Sequence, residues 1–363
     1  MKNNSISPPS QQEYAQKQAV KQRLDKYYSM QQEKNGLKSL DKIKQYLPNE
    51  YSFLALRRDL AIAHLDLEPI LELIAKGEKF SVVSGLNPSS QLHLGHKVLF
   101  DLLKDLQNLG ANLFIPITDN ESYFDGKHNS VSAAKKLAKD EILPTISKFN
   151  FNPQKTNLYL LSESQEILNF SLELSKHITP EEVKRVFGDE GVDNVGQMFY
   201  RGAMQLAQIL QPQLPQHGGP KHTLIPVGID QHPYILLARD IAKKIGMIPP
   251  SELVIKFQQS LLDPEKKMSG SKPETAIYLD DNEKEIKKKI NRAYTGSVSV
   301  LTDHQKIGGI PEICSVFSLL NSHCLDDEKV KGIKEQYLSG GLLMKNLKAE
   351  ASELISKILG KVK

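Results

Sequence analysis

Cysteine is almost absent: Cys314 and Cys324 are the only two in 363 residues. Two thiols exclude a disulfide framework and any Cys-rich zinc or iron–sulfur site, and they point to a reducing compartment. Long apolar runs are missing as well. No stretch of about 18 apolar residues occurs, and the opening MKNNSISPPSQQEYAQKQ is polar throughout, so neither a membrane-spanning helix nor a secretory signal is expected. An excess of one charge is equally lacking. Lys plus Arg number 47 and Asp plus Glu 43, a balance of +4 that permits an anionic partner at a local patch without demanding one. Tryptophan is absent, which carries no functional weight, and no internal repeat is found. What is present is 39% apolar and 25% charged residues, in a chain long enough for two or three domains with substantial cores. The composition fits a soluble, cytoplasmic protein of several domains.

Three textures follow one another along the chain. Residues 1–50 are rich in Lys, Gln and Ser with a loose helical rhythm (Leu24, Tyr27, Tyr28, then Leu37, Leu40, Ile43), which predicts a frayed tail followed by short helices in a mostly helical extension over 1–75. Over 76–282, short β-rich runs alternate with helical patterns. FSVVSG from Phe80, NLFIPITDN (112–120), NLYLL (157–161), TLIPVGID (223–230) and LVIKF (253–257) read as strands. Between the first two, Val98, Leu99, Leu102, Leu103 and Leu106 line one stripe of a helix, and Ser130 to Ile146 reads as another. Strands separated by helices predict an α/β fold with a mostly parallel sheet. QPQLPQHGGPKH (211–222) reads as a mobile loop. Residues 283–363 show no strand signal and are expected to form a helical module.

In such sheets ligands bind at the carboxyl ends of the strands. The first such end is SGLNPSSQLHLGH, where Ser89 or Ser90 suits an N-cap and His93 and His96 fall three apart on the first helical turn, with Gly95 leaving room between them. Free N–H groups at a helix start attract anions, and two imidazoles there suit a triphosphate whose charge grows in a transition state. Taken alone, the pair reads as readily as one capping and one partly buried histidine. A zinc site is poorer still, because no nearby Cys or carboxylate completes a ligand set. A second cluster, LLDPEKKMSGSKPETAIYL (261–279), carries Lys267, Met268, Ser269, Ser271 and Lys272 in a polar loop that can fold over phosphates. No GxGxxG follows the first strand, which argues against a dinucleotide-dependent dehydrogenase.

The HLGH segment followed by KMSGS, each at the right kind of element, resembles the two signatures of class I aminoacyl-tRNA synthetases. GIDQHPYILLARDIA (228–242) looks like the ribose- and amino-acid-facing segment of the tyrosyl and tryptophanyl enzymes. SKPETAIYL, AYTGS (293–297), GGIPEICSVF (308–317), SGGLLMKNLK (339–348) and ITDNES (117–122) resemble the archaeal and eukaryotic type of tryptophanyl-tRNA synthetase. The resemblance covers about Arg57 to the end and implies a Rossmann-like nucleotide-binding catalytic domain over 76–282, with a helical, anticodon-binding-like domain over 283–363. It implies ATP with Mg2+, tryptophan and tRNA(Trp) as partners, a homodimer, and no resident metal. By resemblance His93, His96, Lys267 and Lys272 handle the phosphates. Gly95, Asp230, Met268, Ser269 and Ser271 contact the rest of ATP, Asp230 through its ribose. Glu121, Gln205 and Gln231 match the positions that hold the substrate ammonium, and Val83, Gly85 and Gln208 line its side chain. Lys287, Lys288 and Arg292 are candidates for tRNA phosphate, although a solvated helix face explains them equally well.

The sequence also departs from that family. Val83 and Pro116 stand where a tyrosine and a glutamine bond the indole N–H, Ser122 replaces a lysine, and the aspartate a tyrosyl enzyme wants near Gln208 is missing. Gln208 or Gln197 is then left to read the side chain. Losing a group that reads a substrate N–H weakens specificity heavily. The alternatives are a tyrosyl-tRNA synthetase or a relative of altered amino-acid specificity, a small HxGH nucleotidyltransferase, and a synthetase-like protein that binds RNA or regulates without charging tRNA.

Overall fold

The computed structural model describes residues 6–44 and 53–362. The apolar runs form seven strands: β1 (Lys38–Ser39), β2 (Ala61–Leu65), β3 (Phe80–Val83), β4 (Ala111–Ile117), β5 (Thr156–Leu160), β6 (Thr223–Val227) and β7 (Ser251–Ile255). They make one sheet in the order β1-β2-β7-β6-β3-β4-β5. The five strands from β7 to β5 are parallel, with Val82 opposite both Leu113 and Leu224, while β1 and β2 join antiparallel at the β7 edge. All four residues of β3 and all five of β7 are buried, so both faces are covered and neither strand alternates buried with exposed; Ser81, Ser251 and Glu252 are polar positions inside that burial. β1 and β2 lie in the extension expected to be mostly helical. Their pairing is with β7, a partner far away in sequence, and local pattern carries no trace of it.

Two compact units emerge. One is built from Asn35–Gln91 and Leu99–Lys256 and holds the whole sheet. The chain order of its parallel strands reverses between β3 and β6, so the crevice at their carboxyl ends is a topological switch point. Within it Leu102, Leu103 and Leu106 are buried and Leu99 partly so, each fully buried leucine contributing about 1.5–3 kcal/mol. The Ser130–Ile146 pattern is realised as Val131–Leu137, a π-helical turn at Ala138–Ile142 and Leu143–Ser147, with the Ser130 hydroxyl capping Ala133 N–H. The 211–222 segment is anchored: Gln211–Gln213 is buried, Gln213 bonds both the N–H and the C=O of Ile248, and His217 meets Glu166 at 2.8 Å. Polar side chains with buried partners are what the composition of that segment concealed.

The other unit comprises Met1–Lys34, Leu92–Val98 and Phe257–Lys363. Beyond residue 282 its described part is helical: Glu283–Arg292, Leu301–Ile307, Ser315–His323, Asp327–Leu338 and Met344–Val362, with an Asn282–Glu285 capping box opening the first. Its N-terminal portion is a single helix, Pro8–Lys34, rather than a tail with short pieces. That helix has no apolar stripe. Polar anchors hold it instead, as described below.

Candidate active site

His93 directly precedes the helix Leu94–Asn108, and its own ring caps it: Gly95 N–H donates to His93 Nδ1 at 3.1 Å. Ser89 and Ser90 lie too far upstream for the N-cap role expected of them. His93 N–H in turn donates to His96 Nδ1 at 3.1 Å, and the two rings lie 4.0 Å apart. A nitrogen that accepts a hydrogen bond carries no proton, so both neutral rings hold theirs on Nε2. Burial lowers His93 to about 3, with His96 adding to the effect, and lowers His96 to about 4. At neutral pH the pair therefore supplies two oriented, uncharged N–H donors. A methyl group on Gly95 would sit 2.9 Å from His93 Cε1 and 3.5 Å from Gln258 Cβ, so only glycine leaves this surface open.

The same unit carries the lysine loop. His93 bridges Tyr278, and Leu94 N–H donates to Ile277 O, fixing the histidine turn to the strand-like exit of that loop. Met268 is buried, its N–H bonded to Gln258 O, while Lys267, Ser271 and Lys272 are exposed. The Ser269 and Ser271 hydroxyls bond each other at 3.0 Å, and Tyr278 donates to Gly270 O. Met268 thus anchors the loop rather than presenting its side chain. Charge comes from the lysines and fixed N–H donors from the histidines. His96→Ala is expected to lower ATP–pyrophosphate exchange at least tenfold, about 1.4 kcal/mol of transition-state stabilisation; an unchanged rate would remove His96 from this role.

A third imidazole follows from the same packing. His323 is 4% exposed, neither ring nitrogen has a protein partner, and burial, with Lys97 next, lowers it to about 3. Its unfolded value of about 6.5 is higher, so the unfolded chain takes the proton first. Stability is then complete above pH 6.5 and falls toward pH 3, by about 1 kcal/mol per pH unit. His323→Phe is expected to flatten the acid limb of a urea-denaturation series by that slope; parallel limbs would refute it.

In the sheet-bearing unit the remaining candidates follow strand ends. Glu121 lies just past β4, where Thr118 donates to its Oε2 at 2.7 Å and the Asn87 side chain approaches. Burial raises its pKa. Gln205 and Gln208 lie on Gln205–Leu210, and the Gln205 Oε1 is buried with no partner in the protein. A buried acceptor left open suits an incoming ammonium. A methyl group on Gly85 would sit 3.6 Å from Pro116 Cγ and 3.8 Å from Gln208 Oε1, ordinary contact distances. Val83, 3% exposed, belongs to the apolar cluster with Phe114, Tyr200 and Met204. Asp230 and Gln231 form a 3-10 turn after β6, with Asp230 exposed and its carboxylate folded over Gly228. Tyr234, one helical turn on, feels both Glu121 and Asp230.

Sequence reasoning missed Tyr200. Its ring is 2% exposed, and its hydroxyl lies against Glu121, Thr118 and Gln208. The reason is a π-helical turn, Tyr200–Met204, in which Gln205 N–H bonds Tyr200 O five residues back. With that extra residue Tyr200 and Gln208 come onto one side of the helix, a match that eight-residue α-helical spacing does not make. Gln197 is committed elsewhere: its Nε2 donates to Phe124 O and its Oε1 accepts from Asp193 N–H. Ser122 is fully buried against Asn87 Oδ1. Of the basic residues, Lys287, Lys288 and Arg292 are exposed, whereas Lys289 is tied to Asp281 at 2.5 Å and lies over Tyr278.

Comparisons with known proteins agree on one family. Residues 75–360 match the model of the class I tRNA synthetases (W and Y). The chain is 39% identical over 342 residues to the tryptophan–tRNA ligase of Methanocaldococcus jannaschii, covering 93% of this chain and 91% of that one. With the same enzyme of Saccharolobus solfataricus it shares 37% over 319 residues, 86% and 81% of the two chains. Among solved structures, tryptophanyl-tRNA synthetase from Aeropyrum pernix superimposes with a TM-score of 0.84 at 28% identity, covering 92% of each chain. The tryptophan-bound enzyme of Encephalitozoon cuniculi gives 0.81 at 27%, again over 92% of each.

Proposed function

The chain belongs to the class I tRNA synthetases of the W and Y family, and we propose that it activates tryptophan with ATP and transfers it to the 3′ end of tRNA(Trp). The observation that carries this is identity to archaeal tryptophan–tRNA ligases along nine-tenths of the chain, with the histidine pair and lysine loop intact within it.

In the first step the tryptophan carboxylate attacks the α-phosphorus of ATP, releasing pyrophosphate and forming the aminoacyl-adenylate. No side chain acts as nucleophile; positioning and charge stabilisation supply the rate. Glu121, Gln205 Oε1 and Gln231 hold the ammonium, with the Tyr200 hydroxyl fixing the Glu121 carboxylate. The Nε2–H groups of His93 and His96 donate to phosphate oxygens as charge moves onto the leaving group, and Lys267 and Lys272 neutralise it. Asp230 accepts from the ribose. Gln208 reads the indole: its Nε2 is bonded to Met204 O, which turns Oε1, an acceptor for the indole N–H, toward Gly85. In the second step a terminal ribose hydroxyl of tRNA takes the aminoacyl group.

Mg2+ enters with ATP as the substrate complex. The exposed Lys287, Lys288 and Arg292 face tRNA phosphate, the protein works as a homodimer, and its place is the cytoplasm. The test is ATP–pyrophosphate exchange run against all twenty amino acids, followed by charging of tRNA. Exchange with tryptophan is expected. Exchange with another amino acid would mean that Val83 and Pro116 mark a changed specificity, and no exchange would favour a non-charging RNA-binding relative.

A further inference from the structure

The Pro8–Lys34 helix has a job that its composition hides. Its anchors are mostly polar and spread along its length, with Glu13 and Lys17 one turn apart. Ser7 bonds Asp303, Glu13 accepts from Ser299 N–H at 2.9 Å, and Lys17 donates to Thr295 O at 2.7 Å while lying 4.4 Å over the Tyr294 ring. Farther on, Arg23 grips Glu265 with two bonds of 2.7 and 2.8 Å, and the rings of Tyr28 and Phe257 pack 5.9 Å apart. Every partner in the last group belongs to the stem of the lysine loop. Phe257 opens it. Residues 258–268 then fold as a hairpin, with Met268 N–H bonded to Gln258 O, Ser260 N–H to Lys266 O, and Gln259 bridged to Lys267. Glu265 sits in the turn of that hairpin, two residues before Lys267.

We propose that this helix is a strap that sets the resting position of the Lys267–Lys272 loop, and that Arg23, through Glu265, is a positioning residue for phosphate binding. Arg23 itself touches no substrate. A planar guanidinium holding both oxygens of one carboxylate fixes direction as well as distance, which a single ammonium contact does not. The Arg23 and Glu265 side chains are 57% and 35% exposed, so the effect is kinetic tuning rather than fold stability. The proposal rests on the ATP-binding role given to the loop above.

Two readouts test it separately from that role. Trypsin cuts after exposed Lys266 and Lys267, whereas Pro273 protects Lys272; in Arg23→Ala the first cut is expected about three- to fivefold faster than in the intact protein, the scale of one exposed ion pair. In pyrophosphate exchange the same variant is expected to raise KM for ATP by a similar factor, with KM for tryptophan unchanged. Arg23→Lys should fall between, and the paired reversal Arg23→Glu with Glu265→Arg should restore KM for ATP, the trypsin comparison being kept to Arg23→Ala and Arg23→Lys because an arginine at position 265 adds a cutting site to the turn. Equal cutting rates in Arg23→Ala and the parent protein would overturn the strap whether or not the parent exchanges with tryptophan. Faster cutting with an unmoved KM for ATP would overturn Arg23 as a positioning residue for phosphate.

Discussion

Glu121→Ala is expected to lower kcat/KM for tryptophan in exchange by two to three orders of magnitude, with KM for ATP nearly unchanged. The size follows from the surroundings. Glu121 is held by Thr118 and touched by the Tyr200 hydroxyl in a buried setting, where water cannot replace it as the counter-charge of an ammonium. Truncating one partner of a desolvated charge pair removes about 3–4 kcal/mol. Glu121→Gln keeps the shape and one acceptor oxygen, so its loss should be nearer tenfold, in line with about 1.5 kcal/mol for the charged part of the bond. The two variants also separate by pH. Burial raises the Glu121 pKa above its ordinary 4.5, and only the ionised form captures the ammonium, so KM for tryptophan should rise as pH falls through that raised value. Glu121→Gln should lack this limb. An alanine variant whose KM for tryptophan stays within threefold of the parent would place the ammonium elsewhere.

The histidine turn and the lysine loop are legible as candidates because each is local: His93, Gly95 and His96 occupy one helical turn, and Lys267–Lys272 is one loop. Spacing alone leaves each open to a bland reading, and the resemblance is what joins them and assigns them phosphate. The tautomers were not legible, since they depend on which backbone N–H reaches each Nδ1. The parallel strands could be read from short runs rich in apolar residues set between helical patterns. β2 could not, because AIAHL gains its partner only when β7 lies beside it, nearly two hundred residues on. Tyr200 illustrates a third kind of blindness. A helical wheel with 3.6 residues per turn sets it off the Gln208 face, and one π turn restores it. The Pro8–Lys34 helix fails differently again: its binding face is made of Ser7, Glu13, Lys17 and Arg23, and a search for apolar stripes passes over it.

Beneath the Asp230–Gln231 turn lies the pair with the largest expected effect on stability. His232 opens the helix His232–Lys244 immediately after Gln231, and its Nδ1 meets Glu252 Oε2 of β7 at 2.7 Å, both side chains being 0% exposed. Among the described residues His232 Nε2 and Glu252 Oε1 have no partner, so the pair shares one contact and leaves two buried polar atoms unmet. Glu252→Ala leaves a buried imidazole unpaired beside a cavity and is expected to destabilise the protein by about 3 kcal/mol, roughly 6–12 °C in Tm. Replacing both members with apolar groups of similar volume, His232→Phe with Glu252→Met, removes the unmet hydrogen bond along with the pair, and stability should recover most of that loss. Activity need not recover with it. The contact also sets where the helix begins, and hence where Gln231 and Asp230 stand, so the double variant is expected to keep a near-parental Tm while its KM for tryptophan and for ATP both rise about tenfold. A single Glu252→Ala variant that melts within 2 °C of the parent would show the pair to be energetically idle; a double variant that is both stable and fully active would show that the turn holds its place without it.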